Sequence, residues 1–266
     1  MDPVAAWKQV NLDKKKFYQL NIEERRSLLG EVTNLSTEDM TAWSHEGGLS
    51  LEAADYMIEN VVGLYSLPVG IAQNFVINGK PVFVPMVVEE PSIVAGVSFM
   101  AKLAQVSGGF HTSSSAAEMI GQIQLLDLTD LPLARKTILE HRDELLASLS
   151  GLHPSTERLG GGAKDLEVRI IENSPIGGFL AVQLIYDVRD VMGANAVNTA
   201  AEQLAASLEA LTGGRAHLRI LSNLADRRLA KAEVTISSET LAFEGYGGAQ
   251  VRDGIIEAWA FAAADP

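Results

Sequence analysis

The 266-residue sequence contains no cysteine. This absence excludes a disulfide framework, a cysteine–metal site and a thiol nucleophile in this chain, and it is typical of proteins from a reducing compartment. Basic residues are also few, since 21 lysines and arginines stand against 34 aspartates and glutamates, for a net charge of −13. Because binding to a phosphate backbone requires a basic face, the charge balance argues against nucleic acid as a partner.

Long apolar runs are missing as well. No run reaches the ~18 residues that a membrane span needs, and the N-terminal stretch MDPVAAWKQVNLDKKK has no apolar segment of the kind found in signal peptides. We therefore expect a soluble, cytoplasmic protein without membrane partners. Hydrophobic residues make up 47% of the chain, enough for one large domain or two smaller ones. No metal-ligand spacing relates the five histidines, His45, His111, His141, His153 and His217.

The first 116 residues are predicted to form N-terminal helices and the first part of a large domain. Three helical patterns begin near capping residues: LNIEERRSLLGEVTNLS, STEDMTAWSHEGG and LSLEAADYMIENVVG. The second is expected to end at Gly47-Gly48 and the third at Gly63. Two strand-like runs follow, LPVGIAQNFVI and PVFVPMVV, and Asn78-Gly79 between them is the strongest short signal for a β-hairpin.

A helical pattern follows the hairpin and is apolar nearly all round. It runs to Ser107, with Pro91 expected at the first helical position. A helix that is apolar on all sides is expected to be buried.

Residues 117–222 alternate short strands with two amphipathic helices. The strand patterns are GQIQLLDL, LEVRII, GFLAVQLIYDV and AHLRILSN, and the first helix is DLPLARKTILEHRDELLASLS. The second helix is expected at roughly 195–212, with Val197, Leu204, Leu208 and Leu211 on one face. The alternation of strands and helices over residues 117–222 predicts an α+β fold. In this fold a small ferredoxin-like domain of split βαβ type is inserted into a large α/β domain. The large domain is expected to resume at 223–266, with a strand at AEVTIS.

The chain ends in VRDGIIEAWAFAAADP, an apolar helix pattern with no polar tail. Natural termini usually trail off in polar residues, so we interpret this end as a cut.

The stretch VPMVVEEPSIVAGVSF places two acids, Glu89 and Glu90, between a strand-like run and a helix pattern that are both expected to be buried. One interpretation is an acidic pair stabilised by the positive end of the helix dipole. The other is a general acid held at a rigid strand-to-helix junction. The residues alone leave both interpretations open.

A second junction is DVRDVMGANAVNT, residues 187–199, where a strand, a short turn containing Gly193 and a helix follow one another. Exposed amides and a positive helix end would make it an anion site. The alternative is an ordinary turn with Asn195 as the helix N-cap. Neither a GxGxxG fingerprint nor a Walker loop is present. In RILSNLADRR, Ser222 and Asn223 end a strand, where plain turn residues are also common.

Six segments in order resemble the hydroxymethylglutaryl-coenzyme A reductases of the soluble bacterial and archaeal class, class II, often called degradative. They are ENVVGLYSLPVGIAQNFVINGK, VPMVVEEPSIVAGVSFMAKLA, GGFHTSSS, DVMGANAVNT, GGRAHLRILSNLADRRLA and GIIEAWAFAAADP. The resemblance spans essentially the whole chain. It implies an oxidoreductase that interconverts hydroxymethylglutaryl-CoA and mevalonate with two hydride transfers from NAD(P)H, by way of a hemithioacetal and mevaldehyde.

The resemblance also implies roles for particular residues. Glu90 matches the catalytic glutamate, Asn223 an active-site asparagine, and Ser92 the contact to the carboxylate of the acyl group. The dinucleotide-binding motif is matched by Asp190, Met192, Gly193 and Asn195. The inserted domain, 117–222, is then the NAD(P)-binding domain, and the family's active site lies at a dimer interface, which implies a homodimer or a higher homo-oligomer.

Two departures from the family pattern matter. His153 stands where NADH-preferring relatives are expected to carry an aspartate on the ribose 2′-hydroxyl, so the cofactor is NAD(H) or NADP(H). The family's catalytic lysine, aspartate and histidine are expected after Pro266, so the chain is expected to be inactive alone. The alternative is a non-catalytic remnant of the family that kept dinucleotide binding, coenzyme A binding or dimerisation.

Overall fold

The computed structural model describes residues 16–44 and 48–265. The chain divides into two compact units, one made of the residues up to 111 together with those from 233 onward, the other of residues 112–232. The boundaries predicted for the inserted domain, 117 and 222, fall inside the second unit. The Gly47 end predicted for the second helix lies outside the described residues.

The described residues form nine α-helices and eight strands. The helices are α1 Ile22–Thr33, α2 Thr37–Thr41, α3 Leu51–Met57, α4 Ile93–Val106, α5 Leu131–Glu140, α6 Arg142–Ala147, α7 Pro154–Arg158, α8 Ala194–Thr212 and α9 Gly248–Ala264. The strands are β1 Val69–Ile77, β2 Lys80–Val87, β3 His111–Ser114, β4 Glu118–Leu126, β5 Gly162–Ile171, β6 Phe179–Asp187, β7 Arg215–Leu221 and β8 Ala230–Glu233. Within this part of the chain, no helix has both the length and the hydropathy needed to cross a bilayer.

The N-terminal helices start where the capping residues predict. Asn21 caps α1 by accepting a hydrogen bond from the amide of Glu24, whose carboxylate accepts one from the amide of Asn21 in return. The predicted end of α3 at Gly63 is wrong. The helix ends at Met57 because Ile58 adopts an extended backbone, with φ −143° and ψ 160°.

The predicted hairpin is confirmed. Strands β1 and β2 pair antiparallel, and Asn78 and Gly79 turn the chain between them with φ of 51° and 77°. The register shifts between Ala72 and Phe75, which marks a β-bulge in β1.

Helix α4 packs against β1 along one face only. A Cβ on Gly70 of β1 would lie 3.0 Å from Cγ2 of Val94, so the glycine admits the helix at close range. Phe99 and Met100 stay exposed, and the prediction of a helix buried all round is wrong for this unit. Pro91 is also not the first helical residue, because it precedes Ser92, which is the N-cap.

The second unit has the predicted split βαβ topology. Its sheet has the strand order β5-β6-β4-β7, and every neighbouring pair is antiparallel. One predicted helix is two, since His141, with φ −100° and ψ 15°, separates α5 from α6. Helix α7 was not predicted.

Two strands at the ends of the second unit pair with each other as a separate two-stranded sheet, β3 with β8. The amide of Ser115 donates to the carbonyl of Leu229 at 2.9 Å, and the amide of Leu229 donates to Oγ of Ser115 at 2.8 Å. Strand β8 covers 230–233, two residues ahead of the predicted AEVTIS strand.

The core of the second unit lies between the sheet and α8. On the predicted common face of α8, Val197, Leu204 and Leu208 are fully buried, and Leu211 is partly buried against the same core. A Cβ on Gly121 of β4 would lie 3.0 Å from Cγ1 of Val197, so this glycine sets how closely the helix approaches the sheet.

Replacing Leu204 by alanine should destabilise the second unit by about 2–5 kcal/mol, because a fully buried side chain leaves a cavity. The stability change is measured by chemical denaturation, with hydrogen exchange of the β6 and α8 amides as the probe. The matched control is Leu218→Ala, the same substitution at a side chain that is 56% exposed, which should change stability by less than about 0.5 kcal/mol. Equal losses from the two variants would contradict the assigned core.

Candidate functional site

The first candidate junction, Glu89-Glu90-Pro91-Ser92, connects β2 to α4 in the first unit. Both glutamates are exposed and line an open cleft of about 870 Å³. The expectation that these carboxyls are enclosed between apolar elements is therefore wrong in this unit, because α4 contacts β1 on one side only. The cleft is within the size range of small-molecule sites.

Ser92 has an unusual backbone for a non-glycine residue. It is the N-cap of α4 and lies in the left-handed region, with φ 71° and ψ −14°. Its carbonyl accepts the first helical hydrogen bond, from the amide of Gly96 at 2.8 Å, while its hydroxyl makes no capping bond. A serine in this conformation stores roughly 1–3 kcal/mol of strain, and such residues are concentrated at functional sites. The hydroxyl thus remains exposed at the cleft.

The bulge of β1 fixes the helix that carries Ser92. The amide of Gln73 donates to Oγ of Ser98 at 3.0 Å, and Nδ2 of Asn74 donates to the carbonyl of Ser98 at 2.9 Å. The Ser98 hydroxyl in turn donates to the carbonyl of Val94 at 2.7 Å. These bonds attach the first turns of α4 to the strand and so fix Ser92 at the helix start. The sequence signal for this contact is the pair of polar residues, Gln73 and Asn74, within an apolar strand pattern.

The cleft also carries cations. Lys16, Arg25 and Lys102 line it together with the two glutamates. Arg25 is engaged by the backbone, since Nε donates to the carbonyl of Phe17 at 3.2 Å and Nη2 to that of Tyr18 at 3.1 Å. A cleft with both signs of charge suits a ligand that has an anionic group beside a centre of proton transfer.

The second candidate junction connects β6 to α8 in the second unit. Helix α8 begins at Ala194, and its N-cap is Gly193, with φ 90°. The predicted cap at Asn195 is wrong, because Asn195 is the second helical residue and is exposed. The first turn of this 19-residue helix contains no acidic residue. Its unpaired amides and positive dipole end are therefore available to an anion.

Gly193 closes the junction tightly. A Cβ at this position would lie 2.6 Å from Cγ1 of Val188 and 2.8 Å from Sδ of Met119. Both the positive φ and the lack of space require glycine here. The neighbouring side chains of Asp190 and Met192 are exposed.

Two arginines that sequence reasoning missed hold the turn before Gly193. Arg189 donates from Nη2 to the carbonyl of Gly160 at 2.5 Å, and its amide donates to the buried carboxylate of Asp187 at 2.9 Å. Arg228, from the β7–β8 connection, donates to the carbonyls of residues 189, 191 and 192. The Arg189 contact with Gly160 and the three Arg228 contacts join segments 29 to 39 residues apart, so no local pattern could indicate them.

His153 lies against the start of α8. Its Nε2 is 3.2 Å from the carbonyl oxygen of Ala196, 43 residues along the chain, and its ring meets that of Tyr186 edge to face, with centroids 6.1 Å apart. The amides of Gly151 and His153 donate to the carboxylate of Glu157. These hydrogen bonds lower the pKa of Glu157. Burial, and secondarily the charge of Glu157, raise the pKa of Tyr186.

Asn223 follows the last residues of β7 and is exposed. Ser222 before it is buried; its amide donates to the carbonyl of Ile120 at 2.7 Å, and its hydroxyl accepts from the amide of Leu224 at 3.1 Å. Ser222 is thus a turn residue, which leaves the Asn223 side chain facing solvent.

The structure groups the predicted residues by unit. Glu90 and Ser92 share the junction of the first unit, two residues apart. In the second unit, His153 joins the turn and helix start that contain the predicted dinucleotide residues, Asp190, Met192, Gly193 and Asn195. Among the described residues, no group of three or more His, Cys, Asp or Glu side chains could hold a metal ion.

Comparison with known proteins finds one family. The family model for hydroxymethylglutaryl-coenzyme A reductase matches residues 21–266. A 3-hydroxy-3-methylglutaryl-coenzyme A reductase from Archaeoglobus fulgidus is 46% identical over 250 residues, which cover 94% of this chain and 56% of the relative. A probable reductase of the same name from Borreliella burgdorferi is 28% identical, over 85% of this chain and 50% of the relative. The chain spans about half the length of these curated relatives.

Solved structures of a reductase of that name from Streptococcus pneumoniae have a fold similar to that of this chain. The class II 3-hydroxy-3-methylglutaryl-CoA reductase from Streptococcus pneumoniae, bound to NADPH in open conformations, matches with a TM-score of 0.87 and 36% identity. The match covers 94% of this chain and 67% of that one. A second structure of the Streptococcus pneumoniae enzyme gives the same TM-score and identity.

Replacing Gly193 by alanine should destabilise the second unit more than the same change at Gly177. The two glycines have φ of 90° and 89°, but a Cβ at Gly177 meets nothing within 4 Å. Gly177→Ala should therefore lose roughly 1–2 kcal/mol of stability, from backbone strain alone. Gly193→Ala should lose about 1–3 kcal/mol more, because its Cβ collides with Val188 and Met119. Denaturation midpoints by circular dichroism measure both. Equal losses would mean that the turn has room that the structure does not show.

Proposed function

The chain belongs to the hydroxymethylglutaryl-coenzyme A reductase family, and on that premise we propose that it serves the interconversion of hydroxymethylglutaryl-CoA and mevalonate. In the reductive direction the thioester carbonyl carbon gains two hydrides, two protons are taken up, and the carbon–sulfur bond breaks. The products are the alcohol mevalonate and the free thiol of coenzyme A. The observation that carries the proposal is that the family match, residues 21–266, includes both strand-to-helix junctions.

The proposed cofactor is NAD(P)H, which supplies the hydrides when it is bound. The NADPH-bound neighbour from Streptococcus pneumoniae supports a nicotinamide cofactor. The residues of the second unit fit such a group, because the start of α8 offers free amides and Gly193 leaves no side chain in the way. We assign the cofactor contacts to Asp190, Met192, Gly193 and Asn195.

The proposed acyl site is the first junction. Glu90 would deliver a proton to the alkoxide oxygen that develops as the carbonyl carbon is reduced, the work of a general acid. The exposed hydroxyl of Ser92 would donate to the carboxylate of the acyl group, since it is not used to cap α4. Asn223 is proposed as a further active-site residue, and a homodimer or a higher homo-oligomer as the working assembly.

We propose His153 as the residue that governs the choice between NADPH and NADH. It lies at the start of α8, where an aspartate would accept a hydrogen bond from a ribose 2′-hydroxyl and repel a 2′-phosphate. A histidine removes that anion, so the chain should bind NADPH at least as well as NADH.

His153→Asp should weaken NADPH binding by at least about tenfold, or about 1.4 kcal/mol, while NADH binding is kept or improved. Isothermal titration of the purified chain with each dinucleotide measures the ratio. His217→Asp, which adds the same charge at an exposed position on β7, should leave the ratio unchanged. A wild-type chain that prefers NADH by 100-fold would show that another residue recognises the 2′-hydroxyl.

Glu90→Gln should lower turnover by about 10²–10⁴-fold without loss of fold, since one positioned general acid contributes that much. Because the chain spans 56% of its archaeal relative, the assay uses a polypeptide of the relatives' full length and follows oxidation of NAD(P)H that depends on hydroxymethylglutaryl-CoA. Glu89→Gln is the matched control and should keep most activity. Near-normal turnover in Glu90→Gln would refute the role. Dinucleotide binding with no turnover in the wild-type polypeptide would favour a binding protein of this family over an enzyme.

A further inference from the structure

Arg228 faces the turn between β6 and α8 although it comes from a different part of the chain. From Nη2 it donates to the carbonyl of Arg189 at 3.4 Å and to that of Val191 at 3.1 Å. From Nη1 it donates to the carbonyl of Met192 at 3.3 Å and approaches Sδ of Met119 at 3.6 Å. One guanidinium thus binds three of the four carbonyls of residues 189–192.

The chemistry of the guanidinium suits this task. Its planar fork presents five N–H donors in fixed directions and keeps its charge at every physiological pH. Hydrogen bonds from a charged donor are stronger than neutral ones, so a single side chain can fix a turn that has few hydrogen bonds of its own. Within residues 188–193 the turn has one backbone–backbone hydrogen bond of its own, from the amide of Val191 to the carbonyl of Val188 at 3.3 Å.

The contacts of Arg228 also favour an anion at the start of α8 electrostatically. Free carbonyl oxygens beside the start of α8 would oppose an anion at the helix end, because they carry partial negative charge. Carbonyls that already accept from a cation present less unbalanced negative charge, and the amides of the helix start then dominate the local field.

We propose that Arg228 is a positioning residue for dinucleotide binding: it holds the turn at residues 189–192 so that Asp190, Met192 and Gly193 keep their arrangement at the start of α8. The inference rests on the proposed function, which assigns those residues to the cofactor. Arg228 does not itself contact the cofactor in this proposal.

Arg227 provides a matched control. It is adjacent in sequence and has the same charge, but its guanidinium pairs with the carboxylates of Glu118, at 3.6 Å, and Glu167. It makes no contact with residues 189–192 among the contacts described for this unit. Removing Arg227 therefore removes the same charge while leaving the turn in place.

The experiment compares wild type, Arg228→Met, Arg228→Lys and Arg227→Met. Three properties are measured: the dissociation constant for NADPH by titration, the melting temperature, and hydrogen exchange of the Arg189 and Val191 amides without ligand. Arg228→Met should bind NADPH about tenfold or more weakly, with faster exchange at both amides. Arg228→Lys should be intermediate, because an ammonium group cannot reach three carbonyls at once. Arg227→Met should bind NADPH as wild type does.

Several results would overturn the inference. One is unchanged NADPH affinity and exchange in Arg228→Met. Another is full affinity in Arg228→Lys, which would mean that charge alone attracts the phosphates. A third is equal weakening in Arg227→Met, which would mean general destabilisation. A wild-type chain that binds no dinucleotide would refute the proposed cofactor instead, and the exchange data would still decide whether Arg228 holds the turn.

Discussion

The contact between Val197 and Gly121 determines the geometry of the second unit. Because β4 has no side chain at residue 121, α8 can lie with Cγ1 of Val197 3.0 Å from where a Cβ would be. This close approach sets the distance between the helix and the sheet. The packing of Gly193 against Val188 and Met119 then sets the position of the helix N-terminus. The turn, the arginines that hold it and the contact of His153 with the first helical turn all follow from that placement.

In the first unit, too, a glycine of a strand admits a helix at close range. Gly70 of β1 admits Val94, the second residue of α4, also at 3.0 Å. In both units a β-branched residue near the start of a helix packs on a glycine of a strand. Each helix is therefore packed closely on a strand near its beginning, which is where both candidate sites lie. Strand-to-helix junctions held in this way are suitable places for groups that need a fixed position.

Local signals in the sequence predicted the elements well but not their contacts. Asn78-Gly79 fixed the hairpin, and the spacing of Val197, Leu204 and Leu208 gave the buried face of α8, because turn chemistry and helical period act within a few residues. The bonds by which the β1 bulge anchors α4 and the carbonyl contacts of Arg228 depend on partners 24 to 39 residues away. Glu90 was expected to be enclosed, but the cleft beside it is open. The expectation failed because the apolar character of α4 does not specify which segment covers that helix.

The pairing of β3 with β8 has a consequence for how such a protein can change over evolution. Since Ser115 and Leu229 are joined by two hydrogen bonds donated by their backbone amides, one to a carbonyl and one to the Ser115 hydroxyl, the chain enters and leaves the second unit at nearly the same point. A module whose ends meet in this way can be inserted, exchanged or lost by recombination while its host needs only a short loop to close the gap. The proposed cofactor site and the proposed acyl site, which lie in different units, can then diverge separately, each under its own selection.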